Sequence, residues 1–340
     1  MKRNLLIWLG LAAALLVHAA LPAVPNIGDA RIVVLANNLQ NYYINYDESS
    51  RPSYSDEEGL AVKTQRIADM MIASGADIFA FCEVEAKPVS LEHLVAAVNG
   101  KLGSEDFAWV VDGIYVETDE YDNAIKSGFV YRKTTIEPFG TNVAATGAAY
   151  YKNTMRIQAW TEKSTGEHFT LSMNHFKAGQ TTADPGKREQ NARNLLSGLS
   201  NSSKVKDPDI LIMGDLNAQM AEPCISLLLD AGYEEQLVLF DPNAYSYIYH
   251  SSRELIDHAF ANETMSQQIT GAAVWHTNTS QSYSYRYSDH DAVMVGLKLG
   301  DGPQGIDDVN TDMKATKILR DGQLIIIRGG VEYTITGQRR

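Results

Sequence analysis

The stretch DILIMGDLN, residues 209–217, joins an apolar run to a polar end. The apolar part suits a buried β-strand, and Gly214 then leads into Asp215 and Asn217. Residues two apart on an extended chain point to the same side, so a carboxylate and an amide emerge together where this strand ends. A carboxylate that polarises water and an amide that donates to a phosphate oxygen suit phosphoester chemistry. Taken alone, the stretch also fits a polar loop with an Asx turn.

Five further segments place polar groups after short apolar runs. They supply Asn38 and Asn41, Glu83, Asn174 and His175, Asp257, and Asp289 and His290. His290, flanked by two carboxylates, is a candidate base with an orienting partner. Glu83 offers a hard oxygen ligand suited to Mg²⁺, Mn²⁺ or Ca²⁺. The joint pattern predicts a metal–phosphate site at one edge of a layered sheet.

The chain from Arg31 to about Leu299 alternates strand-like and helix-like runs. The predicted strands are Arg31–Leu35, Asp77–Phe81, Phe129–Arg132, Phe169–Met173, Ile210–Met213 and Val293–Leu297. The predicted helices are Leu60–Ser74, Leu91–Val98 and Gln190–Leu199. This alternation predicts sheets covered by helices, an α+β or α/β layered domain over residues 28–300.

The composition is that of a globular protein with an acidic balance. The 340 residues carry a formal net charge of −13, with 44% hydrophobic and 21% charged residues. This charge disfavours nonspecific binding of polyanions through a broad basic surface. It does not exclude a nuclease, because a bound divalent cation supplies positive charge where a phosphate sits. Cys82 and Cys224 are too few for a disulfide framework; a single bridge stays open, although Cys82 reads as a core residue.

The N-terminus predicts export. Lys2 and Arg3 form a positive segment, Leu5–Val17 an apolar one, and small residues follow, so residues 1–23 are interpreted as a secretory signal peptide. A membrane anchor is the alternative, but the apolar run is short for a span and Pro22 follows it. The mature protein is therefore expected to be secreted, at the cell surface or periplasmic, with no membrane span.

The C-terminus predicts a linker and a small tail. Residues 301–313 are polar and acidic, and in the tail, residues 314–340, Leu324–Ile327 and Val331–Ile335 flank a Gly-Gly pair typical of a hairpin. An isolated hairpin is marginally stable in water, so the tail must dock or be read by a receptor. It resembles the sorting tails of the type IX export system of Bacteroidetes, which implies transient contact with export machinery. A hairpin packed on the domain is the alternative.

The order of the polar segments resembles the motif set of the endonuclease/exonuclease/phosphatase superfamily, which is deoxyribonuclease I-like. The Gly-Asp-x-Asn piece at Asp215 and the Ser-Asp-His piece at His290 are its specific parts. The resemblance covers about Arg31 to Leu299 and implies a four-layer α/β/β/α sandwich of two mainly antiparallel sheets with outer helices. Cys82 stands where many members carry Gln, a departure that removes no ligand.

The resemblance also implies roles for individual residues. It implies metal binding by Glu83, Asn38, Asp257 and Asp289, and catalysis by His175, Asp215, Asn217, Asp289 and His290. Asp215 would orient or deprotonate the attacking water, Asn217 would hold a phosphate oxygen, and His175 would contact the scissile phosphate. Asp289 would orient His290, which acts either as the base or by stabilising the transition state. The implied cofactor is Mg²⁺, with Mn²⁺ or Ca²⁺ as alternatives.

Substrate contacts are predicted at Asn41, Asn174, Lys177 and Arg188. Lys177 and Arg188 belong to a basic group downstream of His175 that suits the backbone phosphates of a polynucleotide, although a solvated loop and helix face is an equal alternative. The tyrosine-rich stretches Tyr245–Tyr249 and Tyr283–Tyr287 suit stacking on unpaired bases, or aromatic packing around the sheet ends.

Three functions are compatible with these residues. The first is a secreted nuclease that hydrolyses DNA or RNA by metal-assisted water attack, with nucleic acid as its substrate and no stable protein partner. The second is the same chemistry on a phospholipid or on a sugar or inositol phosphate. A lipid enzyme should expose an apolar hairpin, and the sequence shows no clear apolar insertion between the catalytic segments. The third, a catalytically dead binding module, would need a lost catalytic group, and none is missing.

Overall fold

The computed structural model describes residues 21–44, 57–87, 89–111, 125–147, 151–282, 286–300, 316–320, 323–328 and 331–334. The chain divides into two compact units, Met1–Gly302 and Pro303–Arg340. Residues 1–20 of the predicted signal peptide and the predicted linker at 301–313 lie outside the described residues.

None of the helices in the described part of the chain is both long and apolar enough to cross a bilayer.

The first unit contains fourteen strands and seven helices among its described residues. The strands are β1 (Ile32–Tyr42), β2 (Ile78–Glu85), β3 (Phe107–Trp109), β4 (Ile125–Arg132), β5 (Ile136–Ala144), β6 (Met155–Glu162), β7 (His168–His175), β8 (Ile210–Asp215), β9 (Glu234–Glu235), β10 (Tyr247–Tyr249), β11 (Ser252–Glu254), β12 (Asp257–Ala261), β13 (Ile269–Trp275) and β14 (Ala292–Leu297). The helices are α1 (Glu57–Ser74), α2 (Val89–Leu102), α3 (Tyr151–Thr154), α4 (Asp184–Leu199), α5 (Pro223–Asp230), α6 (Gln236–Phe240) and α7 (Glu263–Ser266).

Twelve of these strands form two six-stranded sheets of matching design. Sheet A has the order β13-β14-β1-β2-β4-β3, and sheet B has the order β5-β6-β7-β8-β12-β9. In sheet A only β1 and β2 run parallel, and in sheet B only β7 and β8 do. The remaining neighbours are antiparallel. The prediction of two mainly antiparallel sheets is therefore confirmed.

Three hydrophobic cores separate four layers. The central core packs sheet A against sheet B and includes Val34, Ile78, Phe129, Trp160, Leu171, Met213 and Val295. The second core covers the other face of sheet A with α1 and α2, and the third covers the other face of sheet B with α4 and α5. Because the inner strands are buried on both faces, they appear in the sequence as continuous apolar runs rather than alternating ones. The layers match the predicted α/β/β/α sandwich.

Both cysteines are free thiols in separate cores. Cys82 lies in the central core, as its apolar surroundings in the sequence predicted, and Cys224 lies in the core under α4 and α5. No disulfide joins them.

Gly214 marks the closest approach of the two parallel strands of sheet B. It pairs with Asn174 and has a φ of +128°, a region that side chains other than glycine rarely adopt. A Cβ at Gly214 would lie 2.0 Å from the carbonyl oxygen of Asn174. The glycine therefore lets β7 and β8 end side by side, which brings their last residues together.

Replacing Gly214 with alanine is expected to lower the free energy of unfolding by roughly 3 kcal/mol, because both the positive φ and the backbone clash oppose a side chain. Thermal unfolding followed by circular dichroism measures the loss. Gly186→Ala is the matched control, since a Cβ on this exposed position of α4 meets nothing within 4 Å. A Gly214→Ala protein as stable as the control would contradict the close approach of the two strands.

The second unit contains a three-stranded antiparallel sheet made of β15 (Thr316–Arg320), β16 (Gln323–Arg328) and β17 (Val331–Thr334). The two strands of the predicted hairpin pair as β16 and β17, with Arg328 opposite Val331. The third strand, β15, pairs with β16 and was not anticipated from the sequence.

Candidate active site

One edge of the sandwich collects the polar ends of six segments. The carboxyl ends of the parallel pairs β1/β2 and β7/β8 deliver Asn38, Glu83, His175 and Asp215. Strand β12 runs antiparallel to β8, so its first residue, Asp257, lies opposite Asp215. Strand β14 runs antiparallel to β1, so the residues just before it reach the same edge. The topology thus gathers groups that are far apart in the sequence.

Asn38 joins the two sheets at this edge. Its side-chain nitrogen donates to Oε1 of Glu83 on sheet A and to Oδ2 of Asp215 on sheet B, each at 3.0 Å. Its side-chain oxygen accepts the backbone N–H of Gln40 at 2.8 Å. In this orientation Asn38 holds the two carboxylates together, and its role as a metal ligand stays a prediction.

A strained turn supports Glu83. Gln40 and Asn41 have φ values of 49° and 52°, and the N–H of Asn41 donates to Oε2 of Glu83 at 2.9 Å. The buried ammonium of Lys63, on α1, donates to the carbonyl oxygens of Leu39 at 2.5 Å and Gln40 at 2.9 Å. Burial lowers the pKa of Lys63 to about 7. Positive φ at non-glycine residues is costly and persists where the surroundings enforce it, as this lysine does.

His175 faces both carboxylates across a gap. Its Nε2 lies 3.6 Å from Oε1 of Glu83 and 3.7 Å from Oδ2 of Asp215, which is too long for a hydrogen bond. Both ring nitrogens are buried without a hydrogen-bond partner among the described residues. A buried polar atom without a partner requires an explanation, and a bound ion or a phosphate oxygen supplies one. The potential ligand atoms of the three residues all lie within 4.8 Å of one another.

This donor set fits a hard divalent cation. Two carboxylates and one imidazole meet in one cluster, and Asp215, Asp257 and His290 form a second cluster that shares Asp215. Carboxylate oxygens suit Mg²⁺, Mn²⁺ and Ca²⁺. Neither cluster includes a cysteine among the described residues, so neither resembles a thiolate site.

His290 and Asp257 form a buried dyad beside Asp215. Nδ1 of His290 lies 2.7 Å from Oδ2 of Asp257, and Nε2 lies 3.7 Å from Oδ2 of Asp215. The hydroxyl of Ser246 also donates to Oδ2 of Asp257, at 2.7 Å. Burial disfavours the imidazolium, but the carboxylates of Asp257 and Asp215 outweigh burial, so the pKa of His290 lies well above its usual range. With Nδ1 bonded to Asp257, the ring is fixed in orientation and its Nε2 is aimed at the cluster.

The carboxylate that orients His290 is Asp257, and the prediction that Asp289 does so needs correction. Asp289 reaches His290 only through a contact of 4.0 Å between Oδ1 and Nε2. Burial raises the pKa of Asp289, and its carboxylate is more exposed than that of Asp257. Asp289 and His290 both lie in the bend ahead of β14, and the carboxylate that this bend brings to Nδ1 of His290 is that of Asp257, from sheet B.

Comparison with known proteins agrees with this site. The sequence profile described as the endonuclease/exonuclease/phosphatase family matches residues 38–290, a span that runs from Asn38 to His290. This chain belongs to that family. The match stops short of the C-terminal tail. Members of the family are hydrolases acting on phosphate esters and are typically dependent on divalent metals, in agreement with the candidate metal site.

Solved structures show the same fold at low sequence identity. A family protein from Bacteroides vulgatus aligns with a TM-score of 0.55 and 15% identity, over 78% of this chain and 98% of that chain. A mannosyl-6-phosphatase from Bacteroides thetaiotaomicron aligns with a TM-score of 0.54 and 18% identity, over 78% and 99%. TDP2 from D. rerio, complexed with a single-strand DNA product, aligns with a TM-score of 0.54 and 14% identity, over 78% and 98%. No curated protein sequence matches the chain.

Three asparagines that were predicted as catalytic or substrate-binding residues have different surroundings in the structure. Asn217 follows β8 with a φ of 50°, and its N–H donates to Oδ1 of Asp215 at 2.8 Å. Asn41 borders the cluster through its N–H bond to Glu83. Asn174 is fully buried, and its side-chain nitrogen donates to the carbonyl oxygens of Ser172 and Met213, at 3.1 and 3.2 Å. Asn174 thus ties β7 to β8 and does not face a substrate.

Arg188 fixes a loop and is not placed for the predicted substrate contact. It is only 4% exposed, and its guanidinium lies 2.7 Å from a carboxylate oxygen of Glu222. It also donates to the carbonyl oxygens of Lys177, at 3.3 Å, and Gly179, at 2.9 Å. Lys177 itself is half-buried, with its ammonium bonded to the carbonyl of Ala178 at 2.5 Å. The arginine shapes the chain that leaves His175.

Three further residues border the site, and two of them, Ser246 and Tyr247, lie in the tyrosine-rich stretch Tyr245–Tyr249. Ser246 bonds the dyad carboxylate, Lys63 supports the turn under Glu83, and the ring of Tyr247 lies 4.7 Å from the ring of His290. Burial and the nearby carboxylates Asp289 and Asp215 raise the pKa of Tyr247 to about 12, so its phenol stays protonated. Only Tyr247 carried a signal, as part of the tyrosine-rich stretch before Asp257.

Proposed function

We propose that this protein is a phosphodiesterase that cleaves nucleic acid with a divalent cation, Mg²⁺ being the first candidate. The proposal rests on the two imidazoles that lie beside the Asp215 carboxylate. Nε2 of His175 and Nε2 of His290 both lie 3.7 Å from its Oδ2, and Asp257 fixes the second imidazole. This arrangement supplies a proton acceptor at Asp215 and, at His290, a proton donor to a bound phosphate.

In this proposal His290 and Asp215 have separate roles, one as a proton donor and the other as a proton acceptor. The raised pKa of His290 keeps Nε2 protonated, so His290 donates to an oxygen of the substrate phosphate and stabilises the charge that builds there. Asp215, an acceptor, takes the proton of the attacking water. Asn217 donates its backbone N–H to Asp215 and its side-chain nitrogen to the carbonyl oxygen of Phe176, and in this proposal its second amide hydrogen binds a neighbouring phosphate oxygen.

Glu83, with Asp215 and His175 beside it, would hold the cation. When bound, the cation neutralises phosphate charge and lowers the pKa of water. Glu83 is already fixed by the N–H of Asn41 and the side-chain nitrogen of Asn38, so little reorganisation is needed for binding.

Nucleic acid is favoured over other phosphate esters by the surroundings of the dyad. Tyr247 presents an aromatic ring next to His290, and aromatic rings beside a phosphate site suit bases of a strand. The D. rerio neighbour binds single-strand DNA, while the Bacteroides thetaiotaomicron neighbour is a sugar phosphatase, so the fold serves both substrate classes. We also propose export through residues 1–23, which would place the enzyme outside the cytoplasm.

A substrate panel tests the proposal. Purified protein with Mg²⁺ is expected to hydrolyse DNA or RNA and a simple aryl phosphodiester faster than sphingomyelin, inositol phosphates or mannose 6-phosphate. Hydrolysis confined to a sugar phosphate or a lipid would overturn it. Asp215→Asn serves as the inactive reference, because it removes the proton acceptor while keeping the side-chain size.

Removing the cation is expected to abolish hydrolysis. A chelator should eliminate activity, and Mg²⁺ or Mn²⁺ should restore it, because Glu83 and Asp215 need a counter-charge to bind a phosphate. Glu83→Gln should raise the Mg²⁺ concentration for half-maximal activity by about 10-fold or more.

Glu137→Gln is the matched control for this experiment, since Glu137 is exposed on β5 and its one ion pair among the described residues is with Lys163, at 3.7 Å. Full activity in the chelator, or equal Mg²⁺ dependence in the two variants, would show that the carboxylate cluster is not the metal site.

A further inference from the structure

A second aromatic and cationic cluster lies next to the catalytic dyad. Arg253, Tyr245 and His276 form a column, with the guanidinium carbon 4.4 Å from the centre of the tyrosine ring. The same tyrosine ring stacks on the imidazole, with ring centres 4.2 Å apart and an angle of 21° between the planes. The three residues come from β11, from the segment before β10 and from the segment after β13, so the column is a product of the fold.

The base of the column is rigid. Nδ1 of His276 lies 2.7 Å from Oδ2 of Asp291, a fully buried carboxylate. The other oxygen of Asp291 accepts the N–H groups of Asn278 and Thr279, at 2.8 and 2.9 Å. With Nδ1 engaged, the imidazole is fixed in orientation, and its remaining nitrogen, Nε2, has no hydrogen bond among the described residues. The side chain of His276 is 34% exposed.

The column is linked to the catalytic dyad through one short segment. Ser246 accepts the N–H of Asp291 at its carbonyl oxygen, at 2.8 Å, and donates its hydroxyl to Asp257, at 2.7 Å. On either side of Ser246, Tyr245 stacks on His276 and Tyr247 lies against His290. The segment therefore sets the position of the column relative to the catalytic imidazole.

The exposed parts of the column are groups that bind phosphate. Arg253 is exposed, and within the described part of the chain its guanidinium takes part in no ion pair or hydrogen bond. Guanidinium and imidazole N–H groups are standard partners of backbone phosphates. In a chain with a net charge of −13, the Arg253 guanidinium beside the active site forms a local attraction for anions.

We propose that Arg253, Tyr245 and His276 form a subsite for the backbone phosphates that flank the scissile bond. This inference rests on the proposed nuclease function and specifies its substrate: a strand that continues past the cleaved bond along the column. A mononucleotide or a small aryl ester ends before reaching the column. The subsite therefore makes the enzyme select polynucleotides over small phosphate esters.

The test compares two substrates in the Arg253→Gln/His276→Gln double variant. The substrates are a single-stranded oligonucleotide and bis(p-nitrophenyl) phosphate, which has no flanking phosphate. The ratio of kcat/KM for the oligonucleotide to that for the aryl ester is expected to fall about 10-fold, mainly through KM. The slope of log(kcat/KM) against log[salt] for the oligonucleotide should become shallower by about one per lost phosphate contact.

Two single variants serve as controls. Arg253→Lys keeps the charge and should retain most of the salt slope. Lys163→Gln removes a positive charge from a half-exposed side chain that follows β6, at the opposite edge of sheet B from the site, and should leave the ratio unchanged.

An unchanged ratio and salt slope in the double variant would overturn the subsite. An equal loss on both substrates would also overturn it, because the column would then only support the catalytic dyad. If the unaltered protein cleaves neither substrate but hydrolyses another phosphate ester, the proposed nuclease function itself fails, a result distinct from the other two.

Discussion

Replacing His290 with alanine is expected to lower kcat by about 10²–10⁴-fold, the range for loss of a positioned acid–base group. His290 is buried beside two carboxylates: its Nδ1 lies 2.7 Å from Oδ2 of Asp257 and its Nε2 lies 3.7 Å from Oδ2 of Asp215. Alanine removes the proton donor to the phosphate and leaves the Asp257 carboxylate buried without its partner. Steady-state kinetics on a phosphodiester with saturating Mg²⁺ measures the loss.

His168→Ala is the matched control for this variant. His168 begins β7, at the end of the strand opposite His175, and stacks on Phe139 at 4.2 Å. Its loss removes an imidazole without touching the site, so kcat should stay near the wild-type value. Circular dichroism confirms that both variants remain folded. Turnover of His290→Ala within a few-fold of the control would remove His290 from the mechanism.

Replacing Asp257 with asparagine is expected to lower kcat by about 10²-fold or more, because the amide no longer stabilises the imidazolium of His290. Asparagine keeps the size of the side chain and its link to Ser246, so the change isolates the charge and the acceptor at Oδ2. The high pKa of His290 depends on this carboxylate and on Asp215. The kcat of Asp257→Asn should therefore fall further as the pH rises, since its imidazole loses the proton at lower pH than in the wild type.

Comparing the kcat of Asp289→Asn with that of Asp257→Asn shows which carboxylate orients His290. Its carboxylate approaches His290 no closer than 4.0 Å and accepts no hydrogen bond from either ring nitrogen among the described contacts. The loss of kcat should be clearly smaller than for Asp257→Asn. If Asp289→Asn costs more than Asp257→Asn, Asp289 is the orienting group, as the order of residues in the sequence first indicated.

Strand prediction from the sequence succeeded where both faces of a strand are apolar. The cores of β2, β8 and β14 appear as continuous hydrophobic runs because helices cover one face and the other sheet covers the second. Strand β6 was missed because Arg156 and Gln158 interrupt its apolar pattern. Arg156 is nonetheless buried, paired with the side chain of Asn142 on β5. The contact between Arg156 and Asn142 depends on how β5 and β6 pair, and the sequence around Arg156 does not indicate it.

The sequence predicted which residues belong to the site better than it predicted which of them contact each other. The sequence predicts Glu83, His175 and Asp215 as site residues, because an apolar run that stops at a polar residue indicates the end of a strand at the edge of a sheet. Which carboxylate meets His290 depends on the antiparallel registration of β12 with β8, and sequence order favoured the wrong neighbour. Arg188 likewise looked available because Glu222, its partner on another segment, is 34 positions away.

The site draws on both sheets and on both ends of the catalytic unit. The side chain of Asn37, on β1, donates to the carbonyl oxygen of His290, 253 positions later, just before the last strand of sheet A. A contact between residues so far apart in the sequence requires a long loop to close, which costs conformational entropy. The candidate site is therefore incomplete until the segment ahead of β14 is bonded to β1. A chain that ends before residue 290 lacks both this imidazole and the link between β1 and the segment ahead of β14.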